Sequence, residues 1–204
     1  MYRDGVTRPA RTQVRRSNLD DVILTAAETC FERFGIAKTT MDDVARVAEV
    51  SRATVYRYFS DRESLILASV RRRARMNMEP ARAFIAKWPT FAERLTEGIC
   101  HNVRRGKRDP MVHLLVSPNE MALATALLQS TGVAVDLTFE LWDPILREAQ
   151  EAGEMRADID RRELCEWIAH LEIMFISQFD HDDAALDRFR SMIKEFFVPA
   201  VLPR

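Results

Sequence analysis

Residues 39–65, TTMDDVARVAEVSRATVYRYFSDRESL, decide the reading of this chain. Thr40 precedes a short apolar stripe, Val44, Ala45, Val47 and Ala48, and Asp43 follows it at the spacing of a capping box, with Asp in place of the usual Glu. Ser51 is a second N-cap a few residues on. The space between the caps leaves room for a short turn and little else, so two short helices must meet at a steep angle, as in a helix-turn-helix. Val50 and Val55 plug that angle, and the small side chains of Ala45 and Ala48 let the helices approach.

The second helix carries the chemistry. Its N-terminal residues are the ones that face base edges when such a motif lies in the major groove. Arg52 can donate two hydrogen bonds to guanine, and the Thr54 methyl can meet a thymine methyl. The hydroxyls of Tyr56 and Tyr58, with Ser51 and Arg57 beside them, can reach phosphates or bases. Ser60 or Asp61 caps a further helix, whose first turn places Arg62 where a phosphate would bind. The plain alternative is packing, since capped helix pairs occur in many all-helical proteins, and Phe59 reads as core. The polar set on one short helix favours double-stranded DNA.

Leu19 to Leu65 resembles the DNA-binding domain of the tetracycline-repressor (TetR) family of bacterial regulators. The matching residues include Ala26-Ala27, Phe31, Phe34-Gly35, Thr39-Thr40-Met41, Val44-Ala45, Ala48, Val50-Ser51, Thr54-Val55-Tyr56, Tyr58-Phe59 and Leu65. The resemblance implies an all-helical homodimer of about nine helices, whose C-terminal body dimerises and often holds a small effector. Carried over by position, Thr40, Arg52, Thr54, Tyr56, Tyr58 and Arg62 fall where family members contact DNA, with Arg62 in place of a usual Lys. One position departs. The family turn usually has Gly where this chain has Glu49, and a non-Gly residue in a left-handed conformation costs about 1–2 kcal/mol. Either the turn is reshaped or packing carries the strain.

Outward from this stretch, composition sets the frame. The chain has 204 residues, enough for one or two compact domains, and is 47% hydrophobic with only 6 Gly, which favours helices over a loop-rich fold. Net charge is −1, but residues 1–78 hold 15 Lys and Arg against 10 Asp and Glu, while 79–204 hold 15 against 21. A basic front and an acidic rear suit a molecule with one end on a polyanion. Cys30, Cys100 and Cys165 are far apart and read as buried small hydrophobes in a reducing cytoplasm. No metal is expected, because His101, His113, His170 and His181 lack ligand spacing. No cofactor, signal peptide or membrane span is expected either.

Three segments are expected: a basic flexible arm over 1–18, the helix-turn-helix domain over 19–65, and a helical effector-binding and dimerisation domain over 66–204. The arm carries Arg3, Arg8, Arg11, Arg15 and Arg16. It either follows the phosphate backbone or is a solvated tail, partly helical near 11–18. Helix 1 is expected from Leu19 to Phe34 and helix 4 from Arg62 to Met78. Beyond Pro80 come a short helix over 81–87, one over 90–105 and a loop at Lys107–Pro110. Ser117-Pro118-Asn119-Glu120 signals another helix start. Gly132 should divide the helical stretch around it. A long helix kinked at Pro144 should end at Gly153, with further helices from Asp160 to Phe179 and from Asp182 or Asp183 to Phe197.

The last two helices are strongly apolar. Leu164, Ile168, Leu171 and Phe175 on one, and Phe189, Ile193 and Phe196 on the other, either close the monomer core or, as the resemblance favours, form a face that doubles into a four-helix bundle. Phe84, Trp88, Met111, His113, Met121, Phe139 and Trp142 either line an apolar effector cavity or are ordinary core. Three functions are compatible with these features. The first is a homodimeric regulator, a repressor released from a palindromic operator by a mostly apolar effector. The second is a DNA-binding protein without an effector pocket, and the third a helical enzyme. No glycine-rich phosphate loop, nucleophile–base pair or metal cluster supports catalysis, and the expectation is that the chain is not an enzyme.

Overall fold

The computed structural model describes residues 10–115, 132–178 and 183–204, with side chains for all of these except 10–18, 113 and 178. Ser117–Glu120, Met121 and the C-terminal end expected at Phe179 lie outside the described residues, as does the arm up to Pro9. Among the described residues there is no strand, and nine helices have six residues or more. The chain divides into two compact units, Met1–Ser69 and Val70–Arg204, slightly beyond the expected boundary after Leu65.

In the first unit, α1 spans Ala10–Phe34 and so starts earlier than Leu19. Ile23, Ala26, Ala27, Cys30 and Phe31 fall at helical spacing and are buried, and they supply one wall of the core. Gly35, with φ at +81°, ends the helix and bonds back to the Phe31 carbonyl at 2.9 Å. α2, Met41–Val47, and α3, Arg52–Tyr58, pack on that wall through Val44 and Val55, both fully buried.

α4, Arg62–Ile85, does not stop before Pro80 as expected. The proline leaves the Met76 carbonyl without its helical partner, and Met76 lies on an exposed stretch where water can serve that carbonyl. Met78, Ala81 and Ile85 are buried on either side of Pro80 and hold the helix in one piece, so the separate helix over 81–87 does not form. α5, Phe91–Arg108, opens with a Thr90–Glu93 capping box and runs further than expected. Only Asp109 separates it from α6, Pro110–Leu115, so the expected loop shrinks to one residue. Asp109 makes this stop by accepting the Met111 and Val112 N–H groups at 2.9 and 3.2 Å.

Gly132, with φ at +64°, precedes α7, Val133–Glu151. Pro144 lies inside α7 and frees the Glu140 carbonyl, which accepts instead from Arg82 Nη2 at 2.6 Å. Gly153, with φ at +72°, comes after the helix end as expected. Asp160 Oδ1 then accepts the Arg162 and Glu163 N–H groups at 2.7 and 3.0 Å and starts α8, Arg161–Gln178. α9, Asp183–Met192, leads into a π-helical turn at Ile193–Phe197. The chain does not end its helices at Phe197, since α10, Val198–Val201, carries Pro199 in its first turn, where a proline N–H is not needed.

The second unit is organised around fully buried Trp142, Leu95, Ile99 and Ile168. α5 comes so close to Trp142 that a Cβ on Gly98 would sit 2.5 Å from its ring. The three cysteines are free and buried, and burial pushes the Cys100 and Cys165 thiols up to about 12. No helix among the described residues is long and apolar enough to cross a membrane.

Candidate nucleic-acid interface and interior cavity

The helix-turn-helix is built from its caps. Thr40 Oγ1 accepts the Asp43 N–H at 3.2 Å, and Asp43 Oδ2 accepts the Thr40 N–H at 3.1 Å. The Thr40 hydroxyl and backbone bonds hold the Asp43 carboxyl below its ordinary range. Neighbouring Thr39 is buried and donates to the Gly35 carbonyl at 2.8 Å. α2 then ends in a six-residue motif: Val50 N–H bonds Ala45 O at 3.0 Å and Glu49 N–H bonds Arg46 O at 3.3 Å. Glu49 has φ at +54°. The turn is therefore not reshaped to suit the missing glycine, and the fold holds Glu49 in the left-handed region.

Ser51 caps α3 by accepting the Thr54 N–H at 3.1 Å, which directs the helix away from α2. Val55 and Phe59 turn into the core. Arg52, Tyr56 and Arg57 are exposed, and Thr54 and Tyr58 are half-buried. The Arg52 side chain keeps 63% of its surface, stacks over the Tyr56 ring at 5.4 Å and pairs with Asp42, Nε to Oδ1, at 3.2 Å. Arg57 lies over the Tyr58 ring at 5.5 Å. This leaves a compact patch of two guanidiniums on two phenols, with donors that a polyanion can take over from the exposed Asp42.

Arg62 is placed differently from expectation. Its Nη1 donates to the Ala37 carbonyl at 2.6 Å and the Ile36 carbonyl at 3.1 Å, tying the start of α4 to the loop after α1. The site that would hold a phosphate at this helix start is taken by Asp61, whose Oδ1 accepts the Ser64 N–H at 2.6 Å. That bond holds the Asp61 carboxyl below its usual range. Only the sequence distance between Arg62 and the 36–37 loop hid this role.

The second unit contains a cavity of about 570 Å³. Val70, Ala74 and Met78 of α4 form one wall, and Met111, Leu137 and Leu141 contribute others. Polar groups are set among them. Arg73 donates through Nε and Nη2 to both carboxylate oxygens of Asp109 at 3.0–3.1 Å, and Arg105 donates to Asn77 Oδ1. Asn102 Nδ2 donates to Glu172 Oε1 at 2.9 Å. Burial pushes the Glu172 carboxyl up to about 8.

Residues 23–69 match the family model described as bacterial regulatory proteins, tetR family. An HTH-type transcriptional regulator of Mycobacterium tuberculosis is 30% identical over 190 residues, which covers 93% of this chain and 89% of that protein. The chain belongs to the tetR family. It is a DNA-binding transcriptional regulator, not an enzyme. A TetR-family regulator of Pectobacterium atrosepticum shares the fold, with a TM-score of 0.66 at 20% identity over 95% of this chain and 98% of that one. The TetR-family repressor AlkX of a Dietzia strain, implicated in n-alkane biodegradation, superposes with a TM-score of 0.58 at 27% identity over 90% and 97%.

For this TetR-family chain, the expected cavity residues are mostly misplaced. Met111 lines the cavity, but Phe84, Trp88, Phe139 and Trp142 are not part of its wall. Phe84 stacks on His101 at 4.1 Å with Trp88 at its edge, Phe139 carries the Arg162 guanidinium at 5.5 Å, and Trp142 is core. Aromatic side chains filled the interior because of their bulk, while smaller residues and polar residues were left to face the space. The His113 side chain and Met121 lie outside the described residues.

The residues expected at a dimer face are mostly turned inward. Leu164, Ile168, Phe175, Phe189 and Ile193 are buried within the chain, with Phe175 and Phe189 rings 3.6 Å apart and Leu171 half-buried beside them. They close the monomer core. Of the expected set only Phe196 is exposed, at 67%, because the π-helical turn directs Ile193 and Phe197 inward and leaves Phe196 outside. Trp167, exposed at 58%, Met174 and Met192 are the other large apolar side chains on the surface of α8 and α9.

Proposed function

We propose that this regulator is a homodimeric repressor that reads a palindromic operator with α3 and leaves it when a small molecule fills the interior cavity. The observation that carries the DNA contact is the exposed Arg52–Tyr56–Arg57 patch on a helix fixed from both sides by caps. Arg52, Thr54, Tyr56 and Tyr58 reach base edges, Arg57 meets phosphate, and Ser51 and Thr40 support the contact mainly by capping. A second copy doubles the few base pairs one short helix can read. The exposed Trp167, Met174, Met192 and Phe196 supply the apolar surface for that pairing.

The cavity couples to this through α4. One continuous helix begins beside the DNA-binding unit's 36–37 loop, where Arg62 is fixed, and lends Val70, Arg73, Ala74 and Met78 to the cavity. A ligand that binds one arrangement of α4 better than another shifts the population between operator-binding and released forms. Repression finds support in AlkX, a repressor by its own description. The mixed walls refine the expectation of a mostly apolar effector to that of an amphipathic one.

Selection of genomic fragments bound by the full-length protein should return a site with twofold symmetry. On that site Arg52→Ala should lose about 1–3 kcal/mol of binding and relax the preference at one base position. Equal affinity and unchanged base preference in the variant would show that α3 is not the reading helix.

A further inference from the structure

Glu172 is a carboxyl of the second unit bonded only to a neutral side chain among the described residues. It stands on α8, half-buried, with its remaining exposed surface in the cavity wall, and the packing of protein around it is still dense enough to disfavour its charge. That neutral partner is the Asn102 amide. Among the described residues the other charges of the cavity are engaged or solvated: Arg73 is held by Asp109, Arg105 donates to Asn77, and Arg105 and Arg108 are exposed. Burial, and not a neighbouring charge, dominates its proton affinity. One amide does not compensate a carboxylate for the loss of water. A glutamine in the same place could accept the Asn102 bond without that penalty. What a carboxyl adds is the capacity for negative charge, which an incoming cation uses.

We propose that the cavity takes an organic ammonium ion, its apolar body along Val70, Met78, Met111 and Leu141 and its protonated amine against Glu172. This rests on the effector-site reading given above. A volume of about 570 Å³ admits a ligand of ordinary small-molecule size. The exposed charges of Arg105 and Arg108 are screened by water and salt, and that of Arg73 is cancelled by Asp109. The proton balance is simple. Empty, Glu172 holds a proton at pH 7, since its carboxyl titrates near 8. The arriving ammonium keeps its own proton, the carboxyl gives its proton to solvent, and an ion pair remains. Binding therefore releases close to one proton at pH 7.

Three probes with one chain and different heads test this: n-octylammonium, n-octanol and octanoate, titrated calorimetrically into the full-length protein at pH 7 in two buffers of different ionisation enthalpy. Octylammonium should bind at least about tenfold more tightly than octanol, with octanoate weakest, and should release close to one proton. Glu172→Gln should lose the preference for ammonium while still taking octanol. Equal or tighter binding of octanol or octanoate to the wild-type protein overturns the proposal without any variant, as does binding of octylammonium with no proton release. If octanol or octanoate frees the operator and octylammonium does not, the effector site stands and the ammonium ion is excluded. If none of the three binds, the site and its ligand class fall together.

Discussion

Glu49 and Arg62 show how single residues hold the reading unit in place. Glu49 sits at φ +54° with its N–H bonded to Arg46 O, a conformation that glycine adopts without a Cβ penalty. Its side chain is exposed and, among the described residues, makes no bond that favours glutamate there. Glu49→Gly should therefore stabilise the protein by about 1 kcal/mol in chemical denaturation, the relief of strain being partly offset by glycine's greater unfolded-state freedom. Arg62 bonds two carbonyls of the loop after α1. Its loss leaves both without their charged donor. Arg62→Ala should lower unfolding stability by about 1–3 kcal/mol, yet leave the salt dependence of operator binding as in the parent. A smaller salt slope at unchanged stability would return Arg62 to the phosphate role expected from sequence.

At the scale of the element, α8 and α9 carry more apolar surface than the monomer can cover. Leu164, Ile168 and Phe175 fill the stripe that faces inward, and Trp167 and Met174 stand one position over on the same helix. Apolar side chains left in water this way favour association. Trp167→Glu should convert a species of twice 23.5 kDa into one of 23.5 kDa in sedimentation equilibrium, with the helical circular dichroism retained, because Trp167 is not part of the chain's own core. A variant that stays dimeric would place the interface elsewhere. The same helices show why apolar excess was legible as a property of α8 and α9, but which residues face inward was not. Two adjacent stripes were both apolar in sequence, and only packing decided which turned inward.

For the whole molecule, Glu172 links fold stability to pH. Its carboxyl titrates near 8 in the folded chain against an ordinary 4.5, so between those values the folded protein binds more protons than the unfolded one. Stability should fall as pH rises through that window and level off above about 8. Glu172→Gln removes this slope. Thermal unfolding from pH 5 to pH 9 should show the wild-type Tm dropping relative to the variant, most between pH 6 and pH 8. Parallel curves for the two proteins would mean that the carboxyl is hydrated in the folded state.

Much of this protein is determined by local chemistry that a sequence displays directly. Thr40 with Asp43, Ser51, Gly153 and Asp160 with Glu163 each cap an element using groups within a few residues, so these particular starts and stops could be read directly from the chain. The exposed polar set on α3 was legible likewise, since Val55 and Phe59 could face only one way on so short a helix. Other features depended on partners distant in the chain. Arg82 takes the carbonyl that Pro144 frees, Arg62 closes on the 36–37 loop, and α4 passes through Pro80 because residues on both sides are buried. The cavity and its carboxyl belong to this second class. Periodicity places a side chain on a face of its helix, but whether that face meets another helix, solvent or an empty space is set by the simultaneous packing of all the helices.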